Sequence, residues 1–346
     1  MTYPTSISFT ITNACNLRCQ MCGQWSEEGY IQNDKSGLRQ NLALADWKRL
    51  VDELADHHVT SLLIRGGEPF MYPGIIELLA YIHSRGMFIA IDTNATLLKD
   101  FAGSLLEIGN IHLTVSVDGP EEIHDQVRGV KGSFRRTREG LERLSELEKS
   151  SSNKISRSIC FTISPFSIAG LGQMPEVARS LGIKVVTIVP YYYVPEAVGK
   201  MYEKELQESL GCHAFTWRGF HHETSGVSFE EFQEQYHQYL ATLGDIYNYP
   251  YMSLTEDEYR EWFAGPLTPV LRLPCSNVEK LIDIQPGGEA NFCVDFPDYS
   301  IGNVRDASIE ALWNGEKAAR FREYRRKTPL PVCYRCGSKY MSEISA

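Results

Sequence analysis

No run of apolar residues in this 346-residue chain approaches the length of a membrane span, and no excess of basic charge is present. Lys and Arg number 34 against 44 Asp and Glu, a net charge of −10. The first absence excludes a membrane-spanning helix. The second excludes the electrostatic footprint of a protein that grips nucleic acid or an anionic bilayer. Met1 to Ile11 lacks the charged-then-apolar layout of a signal peptide, so a cytoplasmic protein is expected. Internal repeats and low-complexity tracts are missing too, Ser150–Ser152 reading as a plain loop. The nine histidines show no ligand spacing: His57-His58 closes a helical pattern and His221-His222 sits beside Glu223, both read as solvated. With 43% apolar and 23% charged residues the chain is an ordinary globular one, sized for a domain plus a smaller companion.

What is there, and unevenly spread, is cysteine. Of nine, Cys15, Cys19 and Cys22 fall within eight residues, Cys333 and Cys336 form a C-x-x-C, Cys275 and Cys293 lie upstream of that pair, and Cys160 and Cys212 stand alone. In a reducing compartment such clustering reads as metal ligation before disulfides.

From the start to about residue 190, short β-branched runs alternate with amphipathic helical patterns. The strands are expected at Ser6–Thr12, Ser61–Ile64, Phe88–Asp92, Ile111–Val117, Arg157–Ile163 and Lys184–Val189. Read as near-continuously apolar, they imply a parallel sheet covered by helices, wound either as an open sheet or as a barrel. The rhythm breaks at about 194–270. There Ser228 with Glu231 and Thr255 with Glu258 make capping boxes, and Phe229, Phe232, Tyr236, Tyr239, Leu240, Leu243 and Tyr247 form an aromatic stripe read as core packing. After Cys275, a hairpin signal around Pro286-Gly287-Gly288 precedes a helical region at Ile309–Arg326.

The first strand runs straight into Cys15-x-x-x-Cys19-x-x-Cys22. Three thiolates without a fourth nearby suit a [4Fe–4S] cluster that keeps one iron open, whereas zinc sites gather four ligands. This motif resembles the signature of radical S-adenosylmethionine (SAM) enzymes. In that family the open iron chelates SAM, and the reduced cluster cleaves it to a 5′-deoxyadenosyl radical that abstracts hydrogen from substrate. Three further motifs follow in family order. Gly66-Gly67-Glu68-Pro69 resembles the motif that holds the methionyl amine, two glycines allowing close backbone approach and Glu68 accepting from an ammonium. Thr93-Asn94 resembles the ribose-contacting position. Ser116, with Arg128 as a carboxylate fork, resembles the ribose and methionine-carboxylate contacts. Met21 stands where many members carry an aromatic residue against the adenine. The resemblance implies an α/β fold, a partial (β/α)6 TIM-like barrel, with the motifs at the C-terminal ends of its strands.

Cys275, Cys293, Cys333 and Cys336, with Ile301-Gly302-Asn303-Val304 and Leu312-Trp313-Asn314 between them, resemble the SPASM and twitch domains that carry auxiliary clusters in that family. On the residues alone a zinc ribbon competes evenly; the upstream motifs favour one auxiliary [4Fe–4S] cluster without an open iron. The expected organisation is therefore a barrel at 1–193, a helical, substrate-covering insertion at 194–270 and a small α+β auxiliary-cluster domain at 271–346. Expected cofactors are two [4Fe–4S] clusters and SAM, fed by an external flavodoxin- or ferredoxin-like electron donor.

Neither cluster uses Cys160 or Cys212. Cys160 reads as a small strand hydrophobe, and Cys212 as a candidate hydrogen-atom donor. Tyr191-Tyr192-Tyr193 is expected at the barrel mouth, and Asp295 as an exposed loop residue. The favoured function is radical chemistry on a small natural-product or sugar-like molecule, giving epimerisation, dehydrogenation or rearrangement. That preference rests on the first strand starting within six residues, with no peptide-recognition domain before it. The alternatives are a maturase acting on a peptide, and a non-catalytic iron–sulfur module.

Overall fold

The structure is a computed structural model that describes residues 2–39, 41–251, 254–265, 267 and 275–336. Its strands are β1 (Ser6–Thr10), β2 (Ser61–Arg65), β3 (Phe88–Thr93), β4 (Ile111–Ser116), β5 (Ser156–Ile163), β6 (Val185–Pro190), β7 (Tyr247–Tyr249), β8 (Leu281–Ile284), β9 (Glu289–Asn291) and β10 (Gly302–Asn303). They form one sheet in the order β10-β9-β8-β1-β2-β3-β4-β5-β6-β7. Pairing is parallel from β8 through β7 and antiparallel along β8-β9-β10. The six expected strands are thus extended at both edges. The insertion contributes β7, and β8 of the cysteine-bearing tail pairs directly with β1, so the tail is not a separate sheet.

The helices in chain order are α1 (Tyr30–Asn33), α2 (Leu44–Asp56), α3 (Ile75–Ser84), α4 (Leu98–Ile108), α5 (Glu121–Arg128), α6 (Ser133–Glu148), α7 (Met174–Ser180), α8 (Glu196–Glu205), α9 (Phe229–Ala241), α10 (Glu256–Ala264), α11 (Asn277–Lys280), α12 (Ile309–Trp313) and α13 (Glu316–Lys327). Between β5 and β6 the helical stretch divides into a 3-10 turn, Ile168–Gln173, and α7, because Pro175 fits only a first helical turn. The aromatic stripe of α9 is packing: Phe232 stacks on Tyr236 and tilts against Tyr259 and Phe263 of α10.

The strands are not apolar on both faces. Ile7 and Phe9, Leu62 and Ile64, Ile89 and Ile91, Leu113 and Val115, Ile159 and Phe161 are fully buried on one face, where Trp47 of α2 meets Phe9 at a ring distance of 4.8 Å. Each such side chain contributes about 1.5–3 kcal/mol. The intervening residues form the opposite face, polar except at Leu63 and Ala90: Ser8 and Thr10, Arg65, Asp92, His112, Thr114 and Ser116, then Ser158, Cys160 and Thr162. Helices cover only the apolar face, so the period is two, as in any half-covered sheet. The polar face lines the interior of a partial barrel.

Candidate cofactor and cluster sites

The three-cysteine loop leaves β1 and is clamped from three sides. The amides of Gly67 and Glu68 donate to the carbonyls of Thr12 (2.7 Å) and Ala14 (2.8 Å). A Cβ on Gly67 would stand 2.3 Å from the Ala14 carbonyl oxygen, so the glycine is required by the cysteine loop itself. The amides of Arg18 and Gln20 donate to the carbonyls of Arg128 and Val127, and Gly129 (φ +68°) ends α5 where a Cβ would meet the Arg18 carbonyl at 2.4 Å. Trp25 Nε1 donates to the Asn13 carbonyl, and the Arg18 guanidinium lies 4.2 Å from the Trp25 ring centre. Met21 is half-buried next to Cys22.

Burial pushes the Cys15 thiol up to about 12, against the pull of the Leu17 amide. Burial likewise lifts Cys19 to about 11, with Arg128 offsetting it. Each of the three is close enough to a neighbouring cysteine for their charges to oppose one another. Such thiols become thiolates only against a bound cationic centre.

Glu68 is fully buried, and its carboxylate accepts from the Thr93 hydroxyl (2.7 Å), the Asn94 amide (2.8 Å) and the Phe70 amide (3.2 Å). Burial raises it to about 7 against those three donors. It caps the 3-10 turn that Pro69 opens, and so ties the end of β2 to the end of β3. Asn94 is spent similarly: its Nδ2 donates to Asn16 (2.9 Å), and its Oδ1 accepts from the amide and hydroxyl of Thr96. Ser116 ends β4 in register with Cys160.

Arg128 departs from the open fork expected of it. One Nη lies 2.6 Å from Asp118, the other 3.7 Å from Cys19 Sγ, while Nε is buried without a partner. Two of its five N–H donors are thus engaged, and the buried Nε–H is among those left for an incoming carboxylate. Asp118 is positioned by the Thr162 amide, and its own amide donates to His124 Nδ1.

At the other end of the chain, Cys275, Cys293, Cys333 and Cys336 line one cavity walled by Tyr202, Phe292, Phe296 and Phe321. No three His, Cys, Asp or Glu side chains among the described residues converge tightly enough for a single ion. The four thiols instead surround a space, as a cluster's ligands must. Arg325 reaches in from α13, its Nη2 3.4 Å from Cys333 Sγ. Burial pushes Cys336 up to about 12. Residues 337–346 of the expected tail lie outside the described residues.

The insertion roofs both sites. The Phe220 ring lies where a Cβ on Gly23 would meet it at 2.2 Å, one residue past Cys22. Its other side reaches Phe296 at 5.1 Å and Tyr192 at 5.8 Å. Of the three expected mouth tyrosines, Tyr191 donates to the Ser225 carbonyl and Tyr193 to that of Trp262. Tyr192 alone points at the cysteines, its hydroxyl 3.5 Å from Cys336 Sγ.

Two expectations are corrected here. Asp295 is not an exposed loop residue: it is half-buried, lines the four-cysteine cavity, and faces Arg65 and Tyr192. Cys212 lies off the barrel's inner face, donating to the Asp298 carbonyl at 3.1 Å beside Tyr299 and Lys317. Of the two spare cysteines, Cys160 is the one on that inner face.

Sequence reading missed Asp298, which accepts from Tyr202, the Phe215 and Thr216 amides and the Thr216 hydroxyl. It also missed the interior charges. Burial works against the Arg65 charge, which Asp92, Asp295 and Asp283 sustain, and Thr10 donates to Asp283. Alternation along β1 and β4, with Arg65 and Asp92 ending otherwise apolar runs in β2 and β3, was the available signal.

Comparison with known proteins matches residues 9–156 to the Radical SAM superfamily and residues 275–337 to SPASM, an iron-sulfur cluster-binding domain. The antilisterial bacteriocin subtilosin biosynthesis protein AlbA of Bacillus subtilis is 25% identical over 99% of this chain and 68% of its own length. Fe-coproporphyrin III synthase of Methanosarcina barkeri is 35% identical, but over 40% of this chain and 34% of its own. Among solved structures, Streptococcus suis SuiB bound to its precursor peptide SuiA has a TM-score of 0.65 at 15% identity, covering all of this chain and 74% of SuiB.

Proposed function

The chain belongs to the radical SAM superfamily and carries a SPASM domain, and from that premise we propose that it modifies a precursor peptide. Its cofactors are SAM and [4Fe–4S] clusters, which when bound supply hydrogen-atom abstraction from substrate. The carrying observation is coverage. AlbA, a bacteriocin biosynthesis protein, aligns with nearly the whole chain, roofing insertion included, while the porphyrin enzyme aligns with two fifths of it. This reverses the preference for a small molecule. The start of the chain carries no weight against it, since the chain spans only 68% of AlbA.

In this reading Cys15, Cys19 and Cys22 hold the SAM-binding cluster, and Cys275, Cys293, Cys333 and Cys336 hold the auxiliary one. Gly67 shapes the loop ends around SAM, and Glu68 does so through its three internal donors. Glu68 retains lone pairs beyond its three donors, Arg128 offers its free Nε–H, and Ser116, Thr93, Asn94 and Met21 border the same mouth. Fit to the cofactors rests on the orphaned Arg128 Nε and on the two sets of free thiols, Cys19 buried and the others half-buried. An interior of Ser, Thr, Asp and Arg suits an extended peptide, whose backbone N–H and C=O groups require partners once out of water. Phe220 and its loop keep water from the mouth.

The test is anaerobic reconstitution with SAM, a reductant and short precursor peptides encoded beside the gene, read by mass spectrometry. A peptide mass change stoichiometric with 5′-deoxyadenosine is expected. A porphyrin or sugar consumed with 5′-deoxyadenosine, while every peptide stays unmodified, would refute the proposal.

A further inference from the structure

Arg325 is only 5% exposed. Burying such a charge without a counter-ion costs several kcal/mol. Yet among the described residues Arg325 forms no ion pair with a carboxylate. Nη1 donates to the Thr328 carbonyl at 2.8 Å, and Nη2 points at Cys333 Sγ at 3.4 Å, with Cys275 the next sulfur it faces. The fold therefore supplies a buried cation whose natural counter-charges are cysteine sulfurs. A cation so placed suits sulfurs that ligate a metal centre and carry part of its negative charge.

A second polar group comes from the opposite wall. Tyr192 follows β6, and its hydroxyl lies 3.5 Å from Cys336 Sγ, where a metal-bound sulfur can only accept; the hydroxyl's one proton is shared with the Asp295 carboxylate. Its neighbours Tyr191 and Tyr193 turn away to backbone carbonyls, so the orientation of Tyr192 is individual rather than a property of the run. The ring is held edge-on by Phe220 and Phe296.

We propose that Arg325 and Tyr192 are the outer-sphere donors that raise the reduction potential of the centre held by Cys275, Cys293, Cys333 and Cys336. The proposal rests on the reading that these four residues hold a cluster. Reduction adds one electron to the centre, and the added negative charge falls largely on its sulfurs. A cation and a hydroxyl directed at those sulfurs stabilise the reduced form more than the oxidised one. Arg325 acts by charge and Tyr192 by a neutral hydrogen bond, so Arg325 has the larger effect. Tyr192 also makes the barrel mouth part of the auxiliary site's surroundings, because the side chain belongs to the barrel and not to the tail.

The experiment is an anaerobic redox titration of the full-length protein followed by electron paramagnetic resonance, with iron counted per chain. Arg325→Met is expected to lower the reduced-to-oxidised ratio of the auxiliary signal at least tenfold at fixed potential, 59 mV for a one-electron couple. Tyr192→Phe should lower it in the same direction by less, Arg325→Lys should keep most of the wild-type ratio, and the SAM-binding cluster should be unmoved in all three. Full iron with unchanged auxiliary ratios in Arg325→Met and Tyr192→Phe would overturn the proposal. If Arg325→Met loses iron, Tyr192→Phe decides: a lowered ratio supports, an unchanged one overturns. A wild-type chain holding about four irons instead of about eight would overturn it through the underlying cluster reading. The iron count tells that failure from the others.

Discussion

The two cysteine sites are built by opposite means. The first is made of backbone: its thiols lie within eight residues, and the loop is gripped by carbonyls and amides at glycines that admit no side chain. The second is made of side chains: its thiols come from three stretches and meet inside an aromatic wall. Each holds a buried arginine, yet Arg128 is neutralised by Asp118 while Arg325 is left to the sulfurs. A site that must admit a ligand is thus shaped by rigid main chain and a balanced charge. A closed site is shaped by packing and an unbalanced one.

Removing a ligand should separate the two most sharply. Cys19→Ala is expected to abolish 5′-deoxyadenosine formation, whereas Cys336→Ala should lose product while SAM cleavage continues. Both should fall from about eight irons to about four. Loss of SAM cleavage in both would erase the distinction.

Backbone against packing is tested next. Gly67→Ala should cost about 3 kcal/mol, because main chain cannot yield to the new Cβ, and should deplete iron at the first site alone. Phe296→Leu in the second wall should cost about 1 kcal/mol with iron retained. Denaturant midpoints and iron counts decide it.

Asp298 binds the roof to the tail. Asp298→Asn keeps the shape but weakens charged hydrogen bonds, and should cost about 2 kcal/mol. Proteolysis should speed up within residues 211–217; unchanged cleavage would show that the roof is held elsewhere.

The smallest effect is a pH dependence that only the first site should show. Burial pushes His124 down to about 3, with Arg128 adding to it, so it stays neutral in the fold while the unfolded chain protonates near its ordinary value of about 6.5. Its contribution to stability therefore falls as pH drops below about 6.5, by about 1 kcal/mol at pH 5.5, while Glu68, raised to about 7, gains stability over the same window. His124→Asn removes the first contribution, so the variant's stability relative to the wild type should rise as pH falls; an equal slope in the variant would remove His124 as a source.

Much of this was legible in the chain. The six parallel strands follow from β-branched runs spaced by helical patterns, and the cysteine spacings pointed to the two cysteine groups. The polar barrel interior was equally present, as Ser-Ile-Ser-Phe-Thr along β1, but it was obscured by treating parallel strands as apolar on both sides. Other features could not be read from local pattern. Asp298 looks like any loop aspartate until the fold carries it to Phe215 and Thr216. Arg325 sits in a basic helix end, Arg325-Arg326-Lys327, where nothing local sets it apart from its exposed neighbours. Contacts made across long separations have no signature in a window of ten residues.

The pairing of β1 with β8 also orders events in time. Thr10 and Asp283, hydrogen-bonded across that pair, are 273 residues apart. β1 therefore leaves the ribosome well before β8 and waits with one edge open until that strand emerges. Throughout synthesis the three-cysteine loop grows from a strand that is paired on one side only. Iron delivered in that interval would meet thiols on an unfinished scaffold, and closure of the sheet by β8 is the step that commits the loop to its final place.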